Sequence, residues 1–238
     1  MNFIQDKFNT QTEQTANLFI KIGYCHIYRN CPEEASKSLL EALKIILNLY
    51  GQNHLKTGQV LAIIGTLNFF CNRMDQAFQN FTLALQIYDK HPEAIAEEKA
   101  SIYRILGNIS EKKKNIDDAI KYYNASIQLY EKNYQVNIVQ IYEIKRDLAN
   151  ILLSKGEYER AYNNASEAYS IAEQYMEKDP MALASLQETL GECSFEMKDE
   201  NKCLQHLKKA QELYVEHLGV NNIKYAELQV KISLLEKK

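Results

Sequence analysis

LANILLSKGEYERAYNNASEA, residues 148–168, is the clearest copy of a unit that the rest of the chain repeats. Leu148 and the small Ala149 belong to one helix, Gly156 and Tyr158 mark a turn, and Ala161, Ala165 and Ala168 fall at helical spacing on the next helix. Steps of 42 residues from Ala149 land on Gly23, Gly65, Gly107, Gly191 and Ser233, all small and with no insertion between them. Internal periodicity of that length predicts an array of stacked helical hairpins, each burying its apolar face against its neighbours.

Aligning the units in that register shows the core. Leu18, Val60, Ile102, Ile144, Leu186 and Leu228 form one column of the first helices. Ile22, Ile64, Leu106, Leu148, Leu190 and Ile232 form a second, and Cys25, Leu67, Ile109, Ile151, Cys193 and Leu235 a third. Spacings of four and three residues make these one stripe of a helix. The small column beginning at Gly23 lies beside the stripe, where bulk would hold two helices apart. In the second helices Leu39, Phe81, Tyr123, Ala165 and Leu207 stand where they would fill the space between helices. Asn53, Asn137, Asp179 and Asn221 share a column suited to helix N-caps, Pro180 follows as a first helical residue, and Gly51 and Gly219 read as left-handed C-caps. Pro32 and Pro92 fall in turns.

Each unit resembles a tetratricopeptide repeat, with GEYERA at 156–161 matching that family's turn. The long period is similar to the repeats of kinesin light chain. Tyr50-Gly51-Gln52-Asn53-His54 and His217-Leu218-Gly219-Val220-Asn221-Asn222 look like that subfamily's link between repeats. The resemblance implies an all-α fold, a right-handed superhelical solenoid of antiparallel helix hairpins. Its five units would occupy about 16–57, 58–99, 100–141, 142–183 and 184–225, with a capping helix at 223–236. Residues 12–238 would then form the repeat domain and residues 1–11 an N-terminal tail, whose Phe3, Ile4 and Phe8 are spaced to dock as a short helix.

Composition narrows the function classes. Of 238 residues 46% are hydrophobic, and only eight are glycine and three proline, so almost the whole chain can be helical. A net charge of −3 provides no field to draw the protein to nucleic acid or an anionic membrane. The N-terminus lacks an apolar leader segment and no run of 18 apolar residues occurs, which predicts a cytoplasmic location. Cys25, Cys31, Cys71, Cys193 and Cys203 never form a C-x-x-C pair; Cys25, Cys193 and Cys203 occupy repeat positions that predict small buried thiols. The histidines show no helical pairing with one another or with cysteine, so no metal is expected. Without a phosphate-cradling loop or a nucleophile elbow, neither a cofactor nor a catalytic residue is expected.

The resemblance implies that the first helices line a concave, partner-binding groove. Arg104 and Asn108, repeated one unit later as Arg146 and Asn150, would place two guanidinium forks and two amides together, with Glu188 and Glu192 following. This is similar to the carboxylate clamp of some tetratricopeptide domains, although Ser101 and Glu143 stand where that clamp has lysines. The alternative is an internal pair between Arg146 and Glu188. At the N-terminal end Ile20, Tyr24, Ile27, Tyr28, Phe69 and Phe70 form an apolar patch for a partner or for self-docking. The Lys112-Lys113-Lys114 run reads as a solvated helix end. The expectation is a non-enzymatic scaffold or adaptor that binds a peptide or helical segment of another protein, with a cytoskeletal or ciliary assembly as its context. A peptide-sensing regulator is the rival reading, and RNA binding, opposed by the charge, stands third.

Overall fold

The computed structural model describes residues 12–91, 96–175 and 179–236. All regular structure among these residues is helical, and it falls into two compact units, one ending at Lys113 and one beginning at Lys114. The first holds α1 (Glu13–Tyr28), α2 (Pro32–Tyr50), α3 (Leu55–Phe70), α4 (Met74–Tyr88) and α5 (Ala96–Lys112). The second holds α6 (Ile116–Tyr130), a single 3₁₀ turn (Glu131–Asn133), α7 (Ile138–Lys155), α8 (Tyr158–Tyr175), α9 (Pro180–Glu196), α10 (Glu200–Leu218) and α11 (Ile223–Leu235). The tail at 1–11 lies outside the described residues, as do Pro92, Lys237 and Lys238.

In the first unit α1 pairs with α2 and α3 with α4, and the small column sits where the paired helices meet. A methyl group added at Gly23 would come within 2.8 Å of Leu39, and one at Gly65 within 2.9 Å of the Phe81 ring. Leu39 and Phe81 are themselves buried, and burial of such a side chain contributes roughly 1.5–3 kcal/mol. Between hairpins, Val60 of α3 joins Ala16, Ile45 and Ile46 in one apolar cluster. In the second unit Gly191 meets Leu207 in the same way, at 2.8 Å. The α7/α8 hairpin reverses the sizes, with buried Ala149 in the glycine column and buried Ala165 in the large one. Ala184, Cys203, Leu207, Ala210, Tyr214, Leu228 and Ile232 form the last cluster, which seats α11 on α10.

The turns inside the hairpins follow the same period. Asn30, Asn72, Lys114, Gly156 and Lys198 are 42 residues apart, and each takes a positive φ between 56° and 83°. After four of them the next backbone N–H closes onto the carbonyl five residues back: Cys31 to His26, Arg73 to Asn68, Glu157 to Leu152 and Asp199 to Ser194, at 2.8–2.9 Å. This is the Schellman closure, which satisfies carbonyls orphaned at a helix end.

Several positions depart from the register. Leu18 is 40% exposed and Cys25 is exposed, whereas their equivalents in later units are buried, apart from half-buried Leu235. That column packs onto the preceding hairpin, as Val60 does, and the described residues place no hairpin ahead of α1. Two of the four cap positions move by one residue. His54 rather than Asn53 caps α3, accepting from the Lys56 N–H at 3.2 Å, and Asn222 rather than Asn221 caps α11, accepting from Tyr225 at 2.8 Å. Asn137 stands at the cap of α7 but turns its amide back to the carbonyls of Tyr130 and Asn133. Asp179 caps α9 as expected, accepting from the N–H groups of Met181 and Ala182. Gly51 and Gly219 have positive φ, 82° and 76°, but ψ near 174°, so they occupy the extended glycine-only region rather than the left-handed helical one.

Candidate functional site

Among the described residues the first helices line a cavity in each unit. In the first unit, Ile20 and Tyr24 of α1, Ala62 and Thr66 of α3, and Ser101 and Ile105 of α5 surround a cavity of about 410 Å³. Ala62 and Thr66 lie one 42-residue step before Arg104 and Asn108, and Ile20 and Tyr24 one step earlier, so these four share the register of the groove positions. Arg104 and Asn108 are half-buried on α5 and do not line the cavity, which takes the preceding turn of that helix.

The polar centre of this cavity is Glu98, at the start of α5. Gln59 donates its side-chain N–H to the Glu98 carboxylate at 3.2 Å. Buried Tyr88 has its hydroxyl beside the same carboxylate, and burial, then Glu98, pushes the Tyr88 phenol far above its usual range. Tyr24 is raised for a similar reason, burial first and then the neighbouring Tyr28 and Glu98. Among the described residues no lysine or arginine pairs with Glu98, which is half-buried.

The second unit opens a larger cleft, of about 740 Å³, between the C-terminal halves of α9 and α11. Its floor is Gly191, Cys203 and Leu207, and Leu153, Phe195, Leu234 and Leu235 supply apolar walls. Phe195 is 48% exposed and Leu234 63% exposed, so the cleft presents uncovered apolar surface. Glu192 and Glu196 stand at the rim, with Lys231 held to Glu192 at 3.2 Å. Burial in the floor pushes the Cys193 thiol nearby up to about 11, so it is an inert apolar filler.

The remaining candidates are distributed. Arg146 hydrogen-bonds Asp147, its chain neighbour, through Nε at 3.3 Å and a terminal nitrogen at 3.1 Å, and lies 5.8 Å from the Tyr142 ring centre. The alternative pairing of Arg146 with Glu188 is therefore replaced by this local one. Glu188 instead accepts from Tyr214 and faces Lys224 at 3.6 Å. Asn150 is exposed. In the apolar patch, Ile27 is half-buried while Tyr28 and Phe70 are 88% and 70% exposed. Phe69 lies edge-on to Phe70, with Lys112 5.2 Å from its ring centre. Lys113 pairs with Asp75, so the lysine run is partly tied to α4 rather than wholly solvated.

Two cavity-lining residues were missed in the sequence. Leu234 was legible there, because one further 42-residue step from Glu192 reaches it, but α11 reads first as a cap. Glu98 carried no signal, since its partners Gln59 and Tyr88 belong to other helices. Among the described residues, no three His, Cys, Asp or Glu side chains gather as metal ligands would. No described helix is long and apolar enough to cross a membrane.

Residues 100–133 match the family model described as tetratricopeptide repeat. No curated protein sequence matches this chain. Among solved structures the fold is similar to BtubC (BKLC) from P. vanneervenii, with 17% identity, 88% of this chain and 84% of that chain covered, and a TM-score of 0.71. It is also similar to the nearly identical TPR-like repeats of a putative kinesin light chain from Podosopora anserina, with 9% identity, coverage of 87% and 98%, and a TM-score of 0.68. A third likeness is to aspartyl phosphate phosphatase F from Bacillus subtilis, with 14% identity, coverage of 95% and 61%, and a TM-score of 0.63.

Proposed function

Given that this chain is an all-α helical-repeat protein of the tetratricopeptide-like type, we propose that it is a non-enzymatic adaptor binding a peptide or helical segment of a partner protein along its first helices. Repeat folds of this kind serve in general as protein-interaction scaffolds, so the fold supports the class of function and the cavities support the choice of place. The observation that carries the reading is that each unit has an open, mostly apolar cavity lined from its first helices, with a few polar groups at fixed positions. Apolar walls supply affinity and sparse polar groups supply orientation. The likeness to BtubC and to the kinesin-light-chain repeats supports a cytoskeletal assembly as the first context to search, in the cytoplasm. Arg104, Asn108, Arg146, Asn150, Glu188 and Glu192 are carried as flanking contacts for the same partner.

The test is affinity capture from the native cell, read by mass spectrometry, with the intact chain beside three variants. Thr66→Arg fills the first cavity, Leu234→Arg places a charge in the second, and Arg104→Glu with Arg146→Glu reverses the basic positions. All three change exposed or half-buried positions, so helicity and melting should stay as in the intact chain. A partner bound by the intact chain should be lost from at least one cavity variant. Identical partner sets from all four proteins would overturn a groove-binding function.

A further inference from the structure

We infer that the first cavity is a receptor for a basic side chain, a lysine or arginine of the partner segment, flanked by apolar residues. The inference deepens the adaptor reading and rests on it. It follows from the mismatch inside the cavity between an apolar wall and an uncompensated carboxylate. Ile20, Ile63 and Ile105 provide the wall, and Glu98 is the only carboxylate among the described lining residues.

Glu98 receives a hydrogen bond from one neutral donor, the Gln59 amide, and the Tyr88 hydroxyl lies beside it. These neighbours orient the carboxylate without neutralising it. A carboxylate has about four acceptor sites, so room is left for a further donor. A partner that laid only apolar side chains against Ile20, Ile63 and Ile105 would take water away from this charge without replacing it. Removing water from an unpaired charge is costly, and an opposing charge with hydrogen bonds offsets the cost. A lysine or arginine suits the geometry in a second way, because its aliphatic stem can lie along the isoleucines while its head reaches the carboxylate. An acidic segment would meet like charge in a partly buried site. The same carboxylate thus favours a basic partner and rejects an acidic one.

The experiment is selection of random displayed peptides on the immobilised full-length protein, followed by affinity measurement with synthetic copies of the enriched peptides. Enriched peptides should place Lys or Arg beside aliphatic or aromatic residues. Glu98→Gln keeps the shape and removes the charge, and should weaken those peptides about tenfold. Gln59→Lys supplies an internal cation in place of the amide and should weaken them similarly while helicity is unchanged, which separates loss of charge from loss of fold. Glu98→Lys should invert the selection toward Asp and Glu. Enriched peptides that are acidic or indifferent to charge, or basic ones bound equally by Glu98→Gln, would overturn this inference while leaving the groove reading standing. If no peptide of any charge is enriched, the groove reading itself falls, and the inference with it.

Discussion

Lys114 and Lys198 occupy backbone conformations that glycine occupies at the equivalent position in the fourth unit. A left-handed residue with a Cβ costs about 1–2 kcal/mol, whereas glycine adopts the region freely at some cost in unfolded-state entropy. Lys114→Gly and Lys198→Gly should therefore each stabilise the protein by about 0.5–1 kcal/mol, read as a raised urea midpoint at unchanged slope. A lowered midpoint for either would mean that its stem makes packing contacts worth more than the strain. At this scale the sequence was partly legible. Gly156 announced a turn, and Asn30 and Asn72 are residues that tolerate positive φ, but lysine carries no such mark. At Lys198 the backbone is driven there by closure of the hairpin, which overrides the residue's own preference.

At the scale of elements, the repeat works by exchanging volume between paired helices. Gly65 faces Phe81, Gly191 faces Leu207, and the α7/α8 hairpin has alanine at both positions. Gly65→Ala gains about 1 kcal/mol of helix propensity, yet its methyl must displace a buried ring, and overpacking costs about 1–3 kcal/mol. A net loss of about 1 kcal/mol is expected in chemical unfolding, with Phe81→Leu in the same chain recovering most of it. Stabilisation by Gly65→Ala alone would show that the ring yields freely and that the column is not set by close approach. Helix ends were less legible. Whether the cap is Asn53 or His54, Asn221 or Asn222, depends on how the link between repeats folds. That in turn depends on contacts such as the Thr57 hydroxyl donating to the Gly51 carbonyl at 2.7 Å, which no local pattern encodes.

The described residues carry many exposed ion pairs and a half-buried histidine, His206, and both set the response to acid. His206 donates from Nδ1 to Gln187 at 2.8 Å and accepts from the Tyr162 hydroxyl at 3.1 Å. Burial first, then Lys209 and Lys202, hold it below its usual value, against Asp199. The unfolded chain then binds this proton more readily, so stability should begin to fall as pH drops below about 6.5. Glu13, Asp117, Glu157 and Asp199 are held below the usual carboxylate range by hydrogen bonds, from Lys56 and Tyr50, Lys155, Lys155 with Arg160, and Lys202 respectively. Their contribution is complete above the unfolded carboxylate pKa and is lost as pH falls through their lowered folded values, giving a second decline below about pH 4. Lys56 and Lys155, raised mainly by Glu13 and Asp117, contribute below about pH 10.5 and lose that contribution as pH rises further. Thermal melts from pH 8 to pH 3 should show both acid steps, and His206→Gln should remove the first alone. Added salt should shrink the second, because exposed pairs are screened. A single decline near pH 4 in the intact protein would contradict the burial of His206.

By itself the sequence determined the helical class, the hairpin period, the small and large columns, and the shared register of Ile20, Tyr24, Ala62 and Thr66 on the first helices. All of these depend on spacing along one chain direction, and spacing is what a sequence records. Tertiary structure alone decided that Leu18 and Cys25 lie open, that Arg146 turns to Asp147, that α11 leaves a cleft beside α9, and that Glu98 sits among isoleucines with the neutral Gln59 amide as its donor. Each of those outcomes depends on which side chains from separate helices reach the same few ångströms and on how much water remains there, and a repeat register fixes neither.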